Sequence, residues 1–128
     1  MLLLDTCTFL WWATGDPCVP APVRARLRDP DEQVFLSSVS AWEVCVKHAL
    51  GKLPLTVTPE QYISNRRVRL GIAPLPLEEG DVFGLTKLPS LHRDPFDRML
   101  IAQAIARGLA LVTPDGLVRA YPIRPWWG

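Results

Sequence analysis

The sequence has few of the residues that define disulfide-rich, zinc-binding and membrane proteins. Its 128 residues include three cysteines and two histidines. The cysteines are odd in number and form no CxxC pair, so we expect no disulfide framework. The apolar N-terminal segment lacks a preceding basic region, is interrupted by Asp5 and is too short to cross a bilayer. These absences predict a cytoplasmic protein with no membrane segment.

An excess of either charge is also missing. Lysine and arginine number 14 against 13 acidic residues, a net charge of +1, so total charge does not indicate a nucleic-acid partner. Hydrophobic residues make up 48% and charged residues 21%, which is ordinary globular composition and excludes a disordered chain or a coiled coil. The length predicts a single domain over residues 1–128.

Proline is abundant, with 13 residues, and its positions divide the chain because helix interiors and central strands exclude it. Short apolar runs at 2–4, 34–36 and 109–112 predict buried strands, with weaker strands near 72–75 and 122–124. Helical spacing predicts helices near 6–13, 21–29, 38–52, 59–70, 78–86 and 95–107. The alternation predicts a three-layer α/β fold with a mostly parallel sheet, which binds ligands beyond the carboxyl ends of its strands.

Two aspartates directly follow predicted strands. Asp5 comes after Leu2–Leu4, and Asp115 follows the run ending at Val112. Each has a purely structural interpretation: Asp5 as the N-cap of the next helix, and Asp115 as part of a Pro-Asp-Gly turn. Both are nevertheless placed at the sheet edge where ligands bind.

Glu43 lies in a predicted helix, three residues after Ser40, which is the spacing of a capping box. On a helical wheel, Glu43 borders an apolar arc that contains Trp42, Val46, Ala49, Leu50 and Leu53. A half-buried carboxylate at that border needs a partner, and Lys47, one turn later, is the basic residue nearby.

Asp94 and Asp97 begin another predicted helix. Asp94 precedes Pro95 and has the pattern of an N-cap, whereas Asp97 lies on the arc formed by Leu100, Ile101 and Ala104. Of the two, we assign the chemistry to Asp97 and the capping to Asp94. Asp94 stays a second candidate for the same site.

Four acids that converge at one sheet edge need a cation to remain ionised together. Oxygen ligands without a His or Cys set favour Mg²⁺ or Mn²⁺ over Zn²⁺. Withdrawing four acids from the surface leaves nine acidic residues against 14 basic ones. The remaining surface is therefore basic, as binding to phosphates would require, and His92, Arg93 and Arg98 flank the predicted acids.

These segments resemble the PIN-domain ribonucleases, and in particular the VapC-type toxins of prokaryotic toxin–antitoxin systems. The resemblance runs through nearly the whole chain, most clearly in LLLDT, SSVSAWEVCVKHALGKL, HRDPFDRMLIAQA and GLALVTPD. It implies a three-layer α/β/α PIN-like domain. It also implies that Asp5, Glu43, Asp97 and Asp115 are the metal-binding and catalytic acids, with Thr113 as an accessory residue.

The resemblance further implies a Mg²⁺- or Mn²⁺-dependent endoribonuclease. Such proteins are commonly homodimers and are held inactive by a cognate VapB-like antitoxin that covers the acidic pocket. Cys7 stands where related toxins often carry histidine, and it is interpreted either as a site residue or as a small core residue. A non-catalytic PIN-like module, whose acidic pocket binds a basic peptide partner, is the alternative function.

Overall fold

A computed structural model describes residues 1–89 and 94–127, without the side chains of residues 119, 120 and 124. Five strands form one sheet: β1 Leu2–Leu4, β2 Val34–Ser37, β3 Ile72–Leu75, β4 Ala110–Val112 and β5 Arg124–Trp126. The α-helices are α1 Thr6–Thr14, α2 Ala21–Arg28, α3 Ser38–Ala49, α4 Pro59–Leu70, α5 Glu79–Phe83 and α6 Pro95–Arg107. Short 3₁₀ helices cover Gly84–Lys87 and Gly116–Ala120.

The sheet is parallel throughout, in the order β3-β2-β1-β4-β5. The chain builds outward from β1 through β2 to β3, then crosses to the other side of β1 to add β4 and β5. The strand order therefore reverses between β1 and β4, and at such a switch point the loops diverge and leave a crevice beyond the carboxyl ends.

Alternate side chains of each strand enter two separate cores, which gives the three layers. Leu2 and Leu4 pack with residues of α1, α2 and α4 on one face. Leu3 packs with Leu100 and Ile101 of α6 on the other face. These apolar strands have no solvent-facing side because helices cover both faces. The predicted three-layer, mostly parallel fold is confirmed.

Several element boundaries differ from the sequence prediction. The helix expected at 78–86 is a five-residue α-helix followed by a 3₁₀ turn, and α3 ends before Gly51, which adopts a positive φ of 73°. The last strand lies at 124–126 rather than 122–124, and the 3₁₀ helix at Gly116–Ala120 was not predicted. Within the described residues, no helix is long and apolar enough to cross a membrane.

Candidate active site

A cavity of about 410 Å³ opens at the carboxyl ends of β1 and β4, next to the switch point. Sheet register explains its position. Leu4 pairs with Leu36 on one side and with Val112 on the other, so Asp5, Ser37 and Thr113 begin at the same edge. The cavity is lined by the carboxylates predicted from the sequence and by neighbouring polar and apolar groups: Asp5, Thr6, Cys7, Leu10, Glu43, Lys47, Asp94, Asp97, Leu100, Ile101, Leu111, Thr113, Pro114, Asp115 and Val118.

Asp5 has both of the roles considered for it. Its Oδ1 accepts a hydrogen bond from the backbone N–H of Thr8 at 2.7 Å, which caps α1, and the side chain lines the cavity. Burial raises the pKa of Asp5, while side-chain hydrogen bonds with Thr113 and Thr8 partly oppose that rise. The negative charge of Glu43 raises the pKa further. Asp5 therefore binds its proton more strongly than an exposed aspartate does.

Glu43 is buried in the cavity wall, with 3% of its surface exposed. Its Oε2 forms an ion pair with Lys47 Nζ at 2.6 Å. Among the described residues, its Oε1 has no hydrogen-bond partner although that atom is also buried. An acceptor left without a partner in such a place costs free energy, and a metal ion or a donor from a ligand would remove that cost.

The capping box that the Ser40–Glu43 spacing offered as an alternative role for Glu43 does not form. Ser37, not Ser40, is the N-cap of α3, and its hydroxyl accepts from the backbone N–H of Val39 at 3.0 Å. Ser40 lies within the helix, where its hydroxyl accepts a hydrogen bond from Thr6 at 2.9 Å. Glu43 is therefore not committed to a helix end, and its carboxylate is available to the cavity.

The apolar arc assigned to α3 is also wrong. Trp42 and Leu50 are exposed by 56% and 63%, whereas Val39, Ser40, Glu43 and Val44 are buried. Trp42 packs against Phe96 at the surface, with ring centroids 4.7 Å apart. Neighbouring helices cover the side of α3 that carries Ser40 and Glu43. Glu43 is therefore more deeply buried than the helical wheel predicted.

Asp94 and Asp97 both line the cavity, so the structure brings the two candidates of this segment together. Asp94 is the N-cap of α6, and its Oδ1 accepts from the backbone N–H of Phe96 at 2.8 Å. Asp97 lies in the first turn of the same helix. The predicted capping role of Asp94 is confirmed.

Asp115 and Thr113 complete the predicted set at the end of β4. Asp115 Oδ1 accepts from the backbone N–H of Leu117 at 2.9 Å and caps the 3₁₀ helix. The hydroxyl of Thr113 accepts from the backbone N–H of Asp115 at 3.1 Å. These contacts hold the loop after β4 so that both side chains face the cavity.

Of the remaining accessory candidates, Arg98 is not brought to the cavity. The guanidinium of Arg98 donates to the carbonyl of Leu85 at 3.4 Å, and Arg98 does not line the cavity. His92 and Arg93 lie outside the described residues. Among the described residues of the cavity lining, Lys47 is the basic one, and its i,i+4 spacing from Glu43 was the signal for it.

Cys7 lines the cavity and is exposed, so its interpretation as a core residue is wrong. Partial burial raises the pKa of the Cys7 thiol to about 11, and the neighbouring charge of Asp5 contributes. Cys7 is therefore a neutral thiol at physiological pH and is not an activated nucleophile.

The donor set suits a hard divalent cation, because carboxylate and hydroxyl oxygens predominate among the polar groups of the cavity lining. The orphaned Oε1 of Glu43 and the burial that raises the pKa of Asp5 both mark carboxylates whose ionised form a cation would stabilise. In the described part of the chain, no three Asp, Glu, His or Cys side chains are gathered closely enough to hold an ion as they stand. The residues fit the metal by chemistry, and binding requires them to draw together around it.

Comparison with known proteins identifies the class. A sequence model of the PIN domain matches residues 2–122, and the chain belongs to the PIN domain family. Ribonuclease VapC16 of Mycobacterium tuberculosis is 36% identical over 55 residues, which cover 43% of this chain and 39% of that protein. The match therefore spans about two fifths of the length of that relative.

Solved structures show the same fold. VapBC from Salmonella typhimurium, bound to DNA, matches with a TM-score of 0.71 and 19% identity over 99% of this chain and 98% of the other. VapBC2 from Rickettsia felis, bound to a promoter DNA fragment, matches with a TM-score of 0.69 and 18% identity over 97% of this chain and 95% of the other. FitAcB from Neisseria gonorrhoeae matches with a TM-score of 0.67 and 23% identity over 98% of this chain and 96% of the other.

Proposed function

We propose that this protein is a metal-dependent endoribonuclease, the toxin of a type II toxin–antitoxin system. The observation that carries the proposal is the single cavity lined by Asp5, Glu43, Asp97 and Asp115 at the switch point of a PIN-domain sheet. The local match to a ribonuclease of the VapC type supports the choice of RNA as substrate.

We assign the four acids to holding Mg²⁺ or Mn²⁺, with Asp94 and Thr113 as neighbours of the site. When bound, the divalent cation supplies Lewis-acid stabilisation and activates water for attack on a phosphodiester. The protein provides the carboxylate oxygens on rigid supports: the end of β1 for Asp5, α3 for Glu43, α6 for Asp97 and the loop after β4 for Asp115. Thr113 also orients Asp5 through their side-chain hydrogen bond.

The test is cleavage of total RNA by the purified chain, freed of any partner, in Mn²⁺ and in EDTA. We expect fragments in Mn²⁺ and intact RNA in EDTA. Glu43→Gln should abolish cleavage, whereas Glu60→Gln, an exposed glutamate in the first turn of α4, should cleave as wild type. RNA that stays intact with wild type in Mn²⁺, across several RNA pools, would favour the non-catalytic binding module.

We also propose a VapB-like antitoxin that covers the cavity and places an arginine or lysine among the carboxylates. The ion pair of Glu43 with Lys47 supports this, because it shows that a basic side chain is well accommodated there. Co-expression with a small protein encoded next to this gene should yield a stable complex. Two chains that purify separately at micromolar concentration would contradict the proposal.

A homodimer in the cytoplasm completes the proposal, and it is supported by the resemblance to VapC-type toxins. The oligomeric state is tested by sedimentation of the purified chain over a range of concentrations. We expect the mass of two chains, and a mass of one chain at every concentration would contradict the dimer.

A further inference from the structure

The ammonium group of Lys47 places a positive charge in the cavity. Lys47 follows Glu43 by one helical turn, and its Nζ lies 2.6 Å from Glu43 Oε2. The side chain of Glu43 is 4% exposed and that of Lys47 is 45% exposed, so the pair joins a buried carboxylate to an ammonium that reaches solvent.

The charge of Lys47 acts on more than one carboxylate. Glu43, Asp94 and Asp97 all interact electrostatically with its ammonium group. These acids come from α3 and from the start of α6, so the ammonium stabilises negative charge contributed by two elements. A buried carboxylate without such a partner is strongly destabilising.

We propose that Lys47 is the counter-cation of the metal-free cavity and that it competes with the divalent cation for Glu43. This inference rests on the metal site of the proposed function. The two cations share one carboxylate charge, because Lys47 holds Oε2 while Oε1 has no partner among the described residues. A metal ion on Oε1 therefore weakens the Glu43–Lys47 pair, and the long, partly exposed side chain of Lys47 can move away toward solvent.

Competition from Lys47 lowers the affinity of the cavity for metal. The ion pair of Lys47 with Glu43 also stabilises the metal-free protein. Without Lys47, the metal would meet Glu43 with no rival cation, but the metal-free protein would hold a buried charge with no partner. Removing Lys47 should therefore raise the affinity for metal and lower the stability of the metal-free protein. A purely structural ion pair would lower the stability without raising the affinity.

The experiment measures Mn²⁺ affinity by isothermal titration calorimetry at one pH and ionic strength, without RNA. Lys47→Met removes the charge and keeps the chain length, Lys47→Arg keeps the charge, and Lys52→Met is the control at an exposed lysine outside the cavity lining. We expect Lys47→Met to bind Mn²⁺ more tightly, by roughly 5- to 150-fold, the usual range for coupled sites. The other two variants should stay within about twofold of wild type, well below that coupling range.

Melting in EDTA supplies the second readout. Lys47→Met should melt below wild type in EDTA and should gain a larger increase in Tm from Mn²⁺. Equal or weaker Mn²⁺ affinity of Lys47→Met would overturn the inference and leave the proposed metal site intact. Failure of wild type and all variants to bind Mn²⁺ would overturn the metal site as well.

A measurement on wild type covers the case in which Lys47→Met does not fold. The side-chain NMR signals of Lys47, assigned by their loss in Lys47→Arg, should shift as Mg²⁺ is added and should saturate with the metal site. Signals that do not respond to Mg²⁺ while the backbone of Asp5 and Thr113 does respond would overturn the inference.

Discussion

Single residues at this site serve the fold and the cavity together. Asp5, Asp94 and Asp115 each accept a backbone hydrogen bond as the cap of a helix, and each lines the cavity. In each case Oδ1 is the capping oxygen. Capping therefore fixes the direction of a cavity-lining carboxylate at little cost, because the two roles need the same position at a helix start.

The raised pKa of Asp5 predicts how metal-free stability depends on pH. A carboxyl group whose folded-state pKa lies above its ordinary value of 3.8 stabilises the fold below that value, and the contribution is lost as pH rises through the folded-state pKa. Asn also caps helices well, so Asp5→Asn keeps the hydrogen bond to Thr8 and removes the charge. In EDTA, the variant should gain free energy of unfolding relative to wild type between pH 4 and pH 8.

Urea denaturation of wild type and Asp5→Asn in EDTA at both pH values provides the measurement. Asp31→Asn, at an exposed loop position, is the control and should show no such change. A difference between Asp5→Asn and wild type that is the same at pH 4 and pH 8 would show that burial does not penalise the charge of Asp5.

Asp94 and Asp97 are separated by variants that keep the helix start. Asp94→Asn preserves the N-cap of α6, whereas Asp94→Ala removes it and should cost about 1 kcal/mol of stability. Asp97→Asn should leave stability within about 1 kcal/mol of wild type, the size of a helix-dipole contribution, but abolish the increase in Tm from Mg²⁺. Melting of the three variants in EDTA and in Mg²⁺ checks this. A full Mg²⁺ effect in Asp97→Asn, together with its loss in Asp94→Asn, would transfer the metal role to Asp94.

The sequence led to these carboxylates because each follows a recognisable strand or begins a recognisable helix. It could not reveal the burial of Glu43, since that depends on which side of α3 its neighbours cover. The arc through Trp42 and Leu50 looked like the core face and is exposed. Helical periodicity shows that a face is apolar but not that another element packs on it.

Helices α3 and α6, which carry Glu43 and Asp97, are joined by a buried polar network. The Ser37 hydroxyl donates to Gln103 Oε1 at 2.5 Å, and Gln103 Nε2 lies 3.4 Å from Asp81 Oδ2. Arg107 forms an ion pair with the same Asp81 oxygen at 3.1 Å. Because Ser37 also caps α3, the network fixes the start of one helix against the middle of the other.

Gln103→Leu removes the centre of that network. The Ser37 hydroxyl would lose its acceptor, whereas Asp81 would keep Arg107 and the backbone N–H of Glu78. We expect the free energy of unfolding to fall by roughly 1–3 kcal/mol, the cost of one buried unsatisfied group. Gln33→Leu, at an exposed position, should change it by less than about 0.5 kcal/mol. Urea denaturation measures both, and a loss below about 1 kcal/mol for Gln103→Leu would contradict a tightly bonded network.

The positive φ of Gly108, at the end of α6, can be tested against a control glycine in a helical conformation, Gly80 in α5. Gly108 terminates α6 with a φ of 64°, a left-handed conformation that L-residues disfavour, and a Cβ there would meet no atom within 4 Å. Gly108→Ala should therefore destabilise the protein by about 1 kcal/mol through backbone conformation alone. At Gly80, within α5, a Cβ would likewise meet no atom within 4 Å, and Gly80→Ala should be neutral or stabilising by up to about 1 kcal/mol. Thermal melting that gives both variants the same sign would contradict this.

Element types followed from the sequence more readily than the polar contacts between elements did. Proline positions and apolar runs predicted the order of strands and helices, because both act locally. The network around Asp81 had no local signal: an aspartate after Glu-Glu-Gly has the pattern of an exposed helix start, and its burial follows only from the packing of α5 on α6. The sequence also did not single out Ser37 as the N-cap of α3, because Ser40 has the spacing of a capping box with Glu43.

Across the described part of the molecule, carboxylates gather at the switch point of the sheet, while several arginines form contacts elsewhere: Arg26 with Glu32, Arg28 over Trp12, Arg66 over Tyr62, and Arg67 with the Leu36 carbonyl. The acidic cavity, and not these arginines, is therefore the candidate functional site.

In the proposed function, this cavity holds a divalent cation between carboxylates of four different segments. The anomalous difference density of a crystal soaked in Mn²⁺ tests this at the atoms concerned. We expect a peak within coordination distance of Asp5 and at least two of Glu43, Asp97 and Asp115, with Lys47 Nζ farther from Glu43 Oε2 than the 2.6 Å of the metal-free protein. Density with no peak in the cavity at saturating Mn²⁺, or with Mn²⁺ bound only at surface acids, would contradict it.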